Sequence, residues 1–189
     1  TQLYDSNIVF QFYIKSNGKP KPGKGNGEKI PDEKVKEFSK LSKIDNWRRK
    51  LSNLWDENVI IIGGKQWKSV EHFYQANKFK KNNPKYFEKF SLDSDSQISK
   101  DPILAKAAGS KTGKAGGKQI RPLNIQIDPN FSKKKDLIME EGLYAKFTQS
   151  DELKDLIINT KNAKLLNYQV GDKSIIANDL MKVRSKIIS

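Results

Sequence analysis

The pattern of apolar and polar residues along the chain predicts a few short strands set among a larger number of helices. Runs rich in β-branched and aromatic residues predict strands at residues 8–14, 59–62 and 163–170. Apolar residues at helical spacing predict helices at residues 31–43, 69–81, 84–90, 102–108, 133–149, 151–159 and 176–188. Because strands and helices do not alternate regularly, the pattern predicts a helix-rich α+β domain with a small β-sheet rather than a doubly wound parallel sheet.

A tight hairpin is predicted where the apolar run at 59–62 meets Gly63 and Gly64. Two adjacent glycines supply the left-handed backbone that such a turn needs, and the return strand includes Trp67. Ser69 follows this strand and is predicted to cap the next helix. A tryptophan-bearing hairpin therefore leads directly into a helix.

One segment interrupts this pattern and is predicted to be an insert. The chain has 189 residues, a length that favours one domain over residues 1–189. Within it, residues 15–29 are rich in glycine, proline and lysine, and the first two break both helices and strands. We therefore predict a basic insert at 15–29 that is either a mobile arm or a loop beside the substrate, with an ordinary solvated linker as the alternative.

The balance of charge narrows the class of partner. The chain carries 36 lysines and arginines against 22 acidic residues, a formal net charge of +14. Such a surface attracts phosphate-bearing partners, so nucleic acids, nucleotides and anionic surfaces are the natural candidates. The lysines are spread along the chain instead of forming a stripe, however, and charge of this kind is equally consistent with solubility alone.

The absence of cysteine and the presence of a single histidine, His72, exclude several classes of chemistry. Disulfides, thiolate nucleophiles, cysteine-bound zinc and histidine-rich metal sites are ruled out. A Ser-His-Asp hydrolase would have to use His72, whose neighbours do not suggest such a triad. No stretch reaches the roughly 20 apolar residues of a membrane span. We expect an intracellular, soluble protein of the cytoplasm or nucleus, with catalysis by carboxylates, lysines or hydroxyls.

A glycine-rich stretch at residues 109–118 invites comparison with the phosphate-binding P-loop. That motif needs four residues between its glycines and a hydroxyl residue after its lysine. Here three residues separate Gly109 from Gly113, and Lys114 is followed by Ala115. The stretch also follows a predicted helix instead of a strand. P-loop nucleotide hydrolysis is therefore excluded, which leaves a basic loop able to contact a phosphate.

The densest chemical signal lies on the helix predicted after Trp67. At about 100° per residue, Glu71, Gln75 and Lys78 fall within about 60° of one another and share one face. The opposite side of the helix is apolar and carries Val70, Phe73, Tyr74 and Ala76. The polar stripe either faces water, as on an ordinary surface helix, or lines a cleft with Trp67 as its aromatic wall.

Two further sets of residues are weighed beside this stripe. Arg48 and Arg49 lie between Trp47 and Trp55. Such a cluster either grips a phosphate and stacks a base or consists of core tryptophans covered by arginine side chains. His72 lies off the polar stripe and is predicted to be a structural residue with satisfied hydrogen bonds.

Several short motifs occur in the order and spacing found in one enzyme family. They are Phe12-Tyr13, Leu51-Ser-Asn-Leu54, residues 67–79 with the core Ser-x-Glu-His-Phe-Tyr-Gln-Ala-x-Lys-Phe, Tyr144-Ala-Lys-Phe147, residues 153–163 and Leu180-Met-Lys-Val-Arg184. Together they extend over about residues 8–188. On these motifs the chain resembles the NADAR family, the YbiA-like N-glycosidases.

The resemblance implies a helix-rich α+β fold and cleavage of the bond between ribose C1′ and nitrogen, without a metal or an organic cofactor. It implies two catalytic residues, Glu71 as the essential glutamate and Lys78 as the lysine that attacks the ribose. The substrate-binding positions that it implies are Gln75, Trp67, Tyr13 and Asn53. To these we add Arg48 as a basic residue for the phosphates.

The resemblance also limits the substrate. Family members act on early riboflavin-pathway intermediates or on ADP-ribose attached to guanine. Many relatives have Asp shortly before Trp-Gly near the C-terminal strand and a Trp before the long helix, whereas residues 166–177 lack Trp-Gly and residues 117–124 lack Trp. With the basic insert, these differences favour ADP-ribosylated guanine, in nucleic acid or in a nucleotide.

Two alternatives stay open at this point. One is an N-glycosidase of the ribosylamino-pyrimidine phosphates of the riboflavin pathway. The other is a non-catalytic nucleic-acid-binding module, which the net charge of +14 supports. The sequence predicts no oligomeric state and does not distinguish DNA from RNA.

Overall fold

A computed structural model describes residues 2–17 and 21–189. The contacts within the chain divide it into two compact units. The first unit consists of the residues up to Ser52 together with Phe147–Ser189, and the second consists of Asn53–Lys146. In sequence, the second unit is thus inserted between the two halves of the first.

Helices dominate both units. The strands of the described residues are β1 (Asp5–Phe12), β2 (Ile60–Ile62), β3 (Lys65–Trp67), β4 (Lys114–Ala115), β5 (Lys118–Gln119), β6 (Ala163–Asn167) and β7 (Ile175–Ile176). The α-helices are α1 (Trp47–Lys50), α2 (Val70–Ala76), α3 (Pro84–Glu88), α4 (Gln97–Lys100), α5 (Pro102–Ala108), α6 (Lys135–Gln149), α7 (Asp151–Asn159) and α8 (Asn178–Ile188). Short 3₁₀ helices lie at Asp32–Phe38, Leu41–Lys43, Leu92–Ser94 and Phe131–Lys133. The predicted helix-rich α+β class is confirmed.

The first unit is built on a small sheet with the strand order β1-β6-β7. β1 pairs in parallel with β6, so that Phe10 lies beside Leu165, and β7 pairs antiparallel with the other edge of β6. Both of these residues are fully buried. The Phe10 ring also packs edge to face on Phe38 and Trp47, with centroids 5.1 and 5.5 Å away. These aromatic contacts attach the 3₁₀ helix that contains Phe38 and the helix α1 that contains Trp47 to the sheet.

The described part of the predicted insert is attached to this sheet. The Glu28 carboxylate accepts hydrogen bonds from the backbone N–H groups of Gln11, Gly23 and Gly25, at 2.9, 3.2 and 3.0 Å. Lys29 forms a β-bridge with Val9 of β1. Residues 21–29 are therefore attached to β1 through Glu28, the acid of this basic segment, whose side chain is 1% exposed. Residues 18–20 of the predicted insert lie outside the described residues.

The predicted helix over residues 31–43 is instead two 3₁₀ helices, Asp32–Phe38 and Leu41–Lys43. Phe38 and Leu41 are the buried apolar side chains of this stretch, whereas Val35 is exposed. A 3₁₀ helix has three residues per turn, so residues three apart lie on the same side. Phe38 and Leu41 are three residues apart, and both can be buried without an α-helix over the whole stretch.

In the second unit the hairpin predicted around Gly63 and Gly64 is confirmed. These glycines have φ angles of 63° and 75°, and Ile60 pairs with Trp67 across the hairpin. The predicted cap is confirmed as well, since the Ser69 hydroxyl accepts the N–H of His72 at 3.2 Å. The local sequence therefore fixes where α2 begins.

The C-terminal end of α2 differs from the prediction. The sequence predicts a helix that reaches Lys81, but α2 ends at Ala76. The Asn77 side chain donates to the carbonyl oxygen of Phe73 at 2.7 Å. The next backbone bonds are of the tighter i to i−3 kind, as in the N–H of Phe79 to Ala76 at 2.9 Å. Residues 77–79 therefore form turns and do not continue the α-helix.

Candidate active site

The first turn of α2 places the Glu71 carboxylate in the interior of the second unit. The backbone N–H of Glu71 donates to the carbonyl oxygen of Asn53 at 3.1 Å, and the residue is only 8% exposed. One turn later, Gln75 Nε2 donates to Glu71 Oε1 at 2.8 Å. Three predicted site residues, Glu71, Gln75 and Asn53, are thus brought together, with Asn53 contributing its backbone.

Lys78 lies in the turn that follows α2 and is half-buried. Its Nζ donates to the carbonyl oxygen of Gly109 at 2.7 Å. The same Nζ lies 5.5 Å from the ring centroid of Tyr74 and 5.9 Å from that of Phe131. A carbonyl oxygen and two aromatic rings therefore fix the position of the Lys78 amine.

Four consecutive carbonyl groups at the end of α5 are held by two cationic side chains. The Arg121 guanidinium donates to the carbonyl oxygens of Ala108, Ser110 and Lys111, at 2.6, 2.7 and 3.2 Å. Lys78 takes the remaining carbonyl, that of Gly109. Cations are favoured at the C-terminal end of a helix, where carbonyl groups lack partners within the helix. Arg121 therefore orders the loop that positions Lys78.

The buried environment moves the pKa values of the acid and the amine toward each other. Burial raises the pKa of the Glu71 carboxyl, while the hydrogen bond from Gln75 and the charges of Lys106 and Lys78 oppose this rise. Burial lowers the pKa of the Lys78 amine. The Glu71 charge opposes that fall in pKa, and the Arg121 charge adds to it. Such paired shifts are typical of groups that exchange protons during catalysis.

Gln75 keeps one hydrogen-bonding atom unused. Its Nε2 binds Glu71, but its Oε1 is buried and has no hydrogen-bond partner among the described residues. A buried acceptor without a donor is unfavourable by about 1–3 kcal/mol. The carboxamide oxygen of Gln75 is thus the atom of the candidate site whose hydrogen bond the described residues do not supply.

Trp67 was predicted to form an aromatic wall, and the structure places it in the core of the second unit. The residue is 1% exposed, and its indole N–H donates to the carbonyl oxygen of Ile62 at 3.2 Å. Its ring packs edge to face on Phe73 and Phe87, each with a centroid distance of 5.4 Å. In this arrangement Trp67 supports α2 by packing and offers no free face to a base.

Tyr13 and Arg48, the remaining predicted site residues, belong to the first unit. Both line a cavity of about 380 Å³ in that unit. Arg48 is buried, with its guanidinium in a two-pronged contact with Glu28 at 2.7 and 3.1 Å. It also lies 4.1 Å from the ring centroid of Trp47. The Tyr13 ring packs edge to face on Tyr168 at 5.1 Å.

His72 has the structural role predicted for it. One ring nitrogen lies 2.7 Å from the Ser69 hydroxyl and the other 2.8 Å from the carbonyl oxygen of Ile98. Burial lowers the pKa of the imidazole to about 4. The ring is therefore neutral at neutral pH and engaged through both nitrogens.

Sequence reasoning missed Gly109 and Arg121. The chain has only four arginines among its 36 basic residues, and Arg48, Arg121 and Arg184 are all buried. A planar guanidinium binds several carbonyl groups at once, which a lysine does not do equally well. The scarcity of arginine in a lysine-rich chain is the available signal for such positions.

Over residues 2–17 and 21–189, no group of three or more His, Cys, Asp or Glu side chains is placed to hold a metal ion. In the same residues no helix is long and apolar enough to cross a membrane.

The architecture places the chain among α+β proteins with the fold of YbiA. The NMR structure of the E. coli protein YbiA superposes with a TM-score of 0.54 and covers 97% of this chain and 84% of that one, at 21% sequence identity. The NADAR domain model matches residues 30–175. The chain therefore belongs to the NADAR domain family, as the motifs predicted.

Several bacterial proteins named N-glycosidase YbiA are similar in sequence to this chain over 113 residues. The N-glycosidase YbiA of Escherichia coli (strain K12) and that of Shigella boydii serotype 4 are each 31% identical over 113 residues. The YbiA of Shigella flexneri serotype 5b is 30% identical over the same length. These alignments cover 60% of this chain and 59% of the relatives.

Proposed function

We propose that the chain is an N-glycosidase that hydrolyses the bond between ribose C1′ and a nitrogen atom, with Glu71 and Lys78 as its catalytic residues. The observation that carries this proposal is a buried carboxylate, hydrogen-bonded by Gln75, whose charge acts on a half-buried amine in the same unit. The relatives named N-glycosidase YbiA support the reaction class.

The bond between C1′ and nitrogen breaks through a state in which positive charge develops on the sugar. A carboxylate that is already placed and poorly solvated stabilises such charge strongly, which is the role proposed for Glu71. Because its pKa is raised, Glu71 can also accept a proton and return it to the leaving nitrogen.

Lys78 acts in this proposal as the nucleophile in its neutral form. Its lone pair forms a bond to C1′ while the bond to the leaving nitrogen breaks, and the proton lost from the amine passes to Glu71. Opening of the sugar ring converts the adduct into a Schiff base, and water then releases the sugar and restores the amine. A neutral amine keeps N–H groups, so the bond to Gly109 aims its lone pair without consuming it.

The other predicted residues have supporting roles in the proposal. Gln75 Oε1, which lacks a partner among the described residues, accepts a hydrogen bond from a ribose hydroxyl. Trp67 holds α2 in place through its packing. Substrate contacts by Tyr13, Asn53 and Arg48 stay predictions.

Within this reaction class we propose ADP-ribose linked to guanine as the substrate, in nucleic acid or in a nucleotide. The net charge of +14 supports a substrate with several phosphates. The lack of Trp at 117–124 and of Trp-Gly at 166–177 supports a leaving group other than a riboflavin-pathway pyrimidine.

The test is incubation with an oligonucleotide that carries ADP-ribosylated guanine, followed by detection of free ADP-ribose by mass spectrometry. Glu71→Gln and Lys78→Ala should each abolish release, whereas Glu57→Gln and Lys81→Ala, at exposed positions, should not. Normal turnover by both active-site variants would contradict the proposal. A parallel assay with ribosylamino-pyrimidine phosphate tests the substrate separately from the reaction.

Two further measurements separate the parts of the mechanism. Borohydride added during turnover should trap a sugar adduct that intact-mass analysis finds on the wild type and not on Lys78→Ala. Absence of the adduct removes the covalent step and leaves the hydrolase. A non-catalytic module would instead bind the oligonucleotide with steep salt dependence, release no ADP-ribose and be unaffected by Glu71→Gln.

A further inference from the structure

A cavity of about 810 Å³ lies in the second unit, between α3, α4 and the β4–β5 hairpin. Its apolar wall is formed by Ile98, Leu104, Ile120 and Ile125. Glu71, Gln75 and Lys78 are not among its lining residues. Its volume is within the range of about 300–1,000 Å³ that is usual for small-molecule sites. The cavity is therefore large enough for a ligand and distinct from the proposed catalytic residues.

The charged residues that line this cavity are all positive. Lys85, Lys89 and Lys118 line it, and none of its described lining residues is an acid. All three lysines are exposed, and none has a carboxylate within ion-pair distance among the described residues. Their charges are thus available to an anionic ligand.

A buried hydroxyl in the lining has no partner. Tyr86 is 6% exposed, and its hydroxyl has no hydrogen-bond partner among the described residues. Its ring is fixed by edge-to-face packing on Phe79 and Phe90, with centroids 4.9 and 5.4 Å away. Because the ring is fixed, the hydroxyl cannot swing into solvent to find a partner. Tyr86 is therefore a rigid part of the lining.

Side-chain amides complete the lining and narrow the class of ligand. Gln97 and Gln119 line the cavity. Gln119 Nε2 donates to the carbonyl oxygens of Thr112 and Arg121, which leaves its own oxygen as an acceptor. Carboxamides pair with the edges of nucleobases, apolar side chains cover their faces, and lysines neutralise phosphates. A fatty acid has a single charge and no polar edge, so it would use neither the acceptor oxygen of Gln119 nor all three lysines.

We propose that this cavity binds a nucleotide, with its base against the apolar wall and its phosphate at Lys85, Lys89 and Lys118. The nucleotide is either free or part of a single strand. The cavity does not include the proposed catalytic residues, so its binding can be measured without turnover. Binding is therefore measured on the Glu71→Gln protein, which is expected not to cleave its substrate.

The main test compares two triple variants that remove the same charge. Lys85→Gln/Lys89→Gln/Lys118→Gln alters the cavity, and the control Lys36→Gln/Lys40→Gln/Lys43→Gln alters exposed positions of the first unit. Affinity for a fluorescein-labelled single-stranded oligonucleotide is measured by anisotropy, and affinity for guanosine monophosphate by calorimetry. The cavity variant should bind at least about tenfold more weakly, because it loses three positive charges that contact the phosphate. The control should bind like the parent protein.

The outcomes separate the possibilities. Binding of both probes identifies a site for a single nucleotide, and binding of the oligonucleotide alone identifies a strand site; each supports the proposal if only the cavity variant is impaired. An equal loss of affinity in both triple variants would overturn the proposal, because binding would then depend on the net charge of the protein and not on the cavity. Failure of both probes to bind would also overturn it.

Discussion

Gln75 lies so close to Gly109 that residue 109 has no room for a side chain. A Cβ atom built on Gly109 would overlap the carboxamide oxygen of Gln75 and lie 2.7 Å from its Cδ. Gly109 has a φ of −90°, which any residue adopts, so the glycine is needed for space and not for backbone conformation. Because the Gly109 carbonyl also binds Lys78, one glycine sets the distance between the loop and both side chains.

Gly109→Ala should therefore destabilise the protein and slow the proposed reaction. We expect a loss of about 1–3 kcal/mol in the free energy of unfolding, the usual effect of an added methyl group in a packed site. Urea unfolding measures it. In a Gln75→Ala background the closest contacts disappear, so Gly109→Ala should be less destabilising there. Equal effects in both backgrounds would contradict the packing argument.

Lys78 should make stability depend on pH in the alkaline range. Its folded pKa is lowered from 10.5, so the unfolded chain holds the proton more tightly and stability rises with pH between the lowered value and 10.5. Lys78→Met cannot titrate, and its stability advantage over the wild type should shrink as pH rises through that window. Urea unfolding across a pH series, with Lys81→Met as the exposed control, measures the difference. A difference that is constant with pH would argue against a perturbed amine.

Arg121 is expected to act on the reaction through Lys78. Arg121→Gln removes a charge that lowers the pKa of Lys78, so the rise of kcat with pH should shift to higher pH. Arg121→Lys keeps the charge but loses the multiple carbonyl contacts, so kcat should fall on the order of 100-fold with little shift in the profile. Rate measurements on both variants across pH test this. A purely structural role would leave both profiles in place.

His72 should stabilise the fold at neutral pH and lose that effect in acid. Because its pKa falls from 6.5 to about 4 on folding, the unfolded chain binds the proton first and stability decreases as pH falls through this interval. The loss is about 3 kcal/mol from the size of the shift. His72→Gln should be less stable than the wild type near pH 7, and the gap should narrow toward about pH 4. Chemical unfolding at both pH values tests this, and normal turnover by the folded variant is expected.

The ion pair of Arg48 and Glu28 provides a test of whether Arg48 binds a phosphate or serves only the packing of the fold. Its Glu28 side chain is 1% exposed and its Arg48 side chain 10% exposed. Breaking a buried pair at one partner is typically destabilising by about 3–5 kcal/mol, so Arg48→Met should lower the free energy of unfolding by that amount. Glu28→Gln/Arg48→Met should recover part of the loss. A stable Arg48→Met protein with weakened substrate binding would favour the phosphate-binding interpretation instead.

The sequence predicts best those elements whose boundaries are set by neighbouring residues. α5 and α7 have the predicted bounds because Asp101 and Ser150 cap their first turns, accepting the N–H groups of Ile103 and Leu153. The hairpin at Gly63 is fixed in the same local way. Pairing of β1 with β6 depends on residues far apart in the chain, and no periodicity within either strand specifies its partner.

In the candidate site, too, the positions set by local helical geometry are predicted and those set by distant residues are not. Helical spacing placed Glu71 and Gln75 on one face, and they are in contact. Lys78 lies beyond the end of α2, so its position depends on the carbonyl group of Gly109, which helical geometry does not give. The burial of Trp67 depends on rings from two other parts of the unit, whose approach a single sequence does not reveal.

The insertion of one unit inside the other has a consequence for synthesis of the chain. β1 leaves the ribosome before the second unit, but its partner β6 emerges only after all of Asn53–Lys146 has been made. The inserted unit has its full sequence by then and can fold during translation, whereas the sheet that holds β1 must wait for β6. Nascent chains halted just before β6 should therefore protect the inserted unit against proteases and leave β1 open to cleavage.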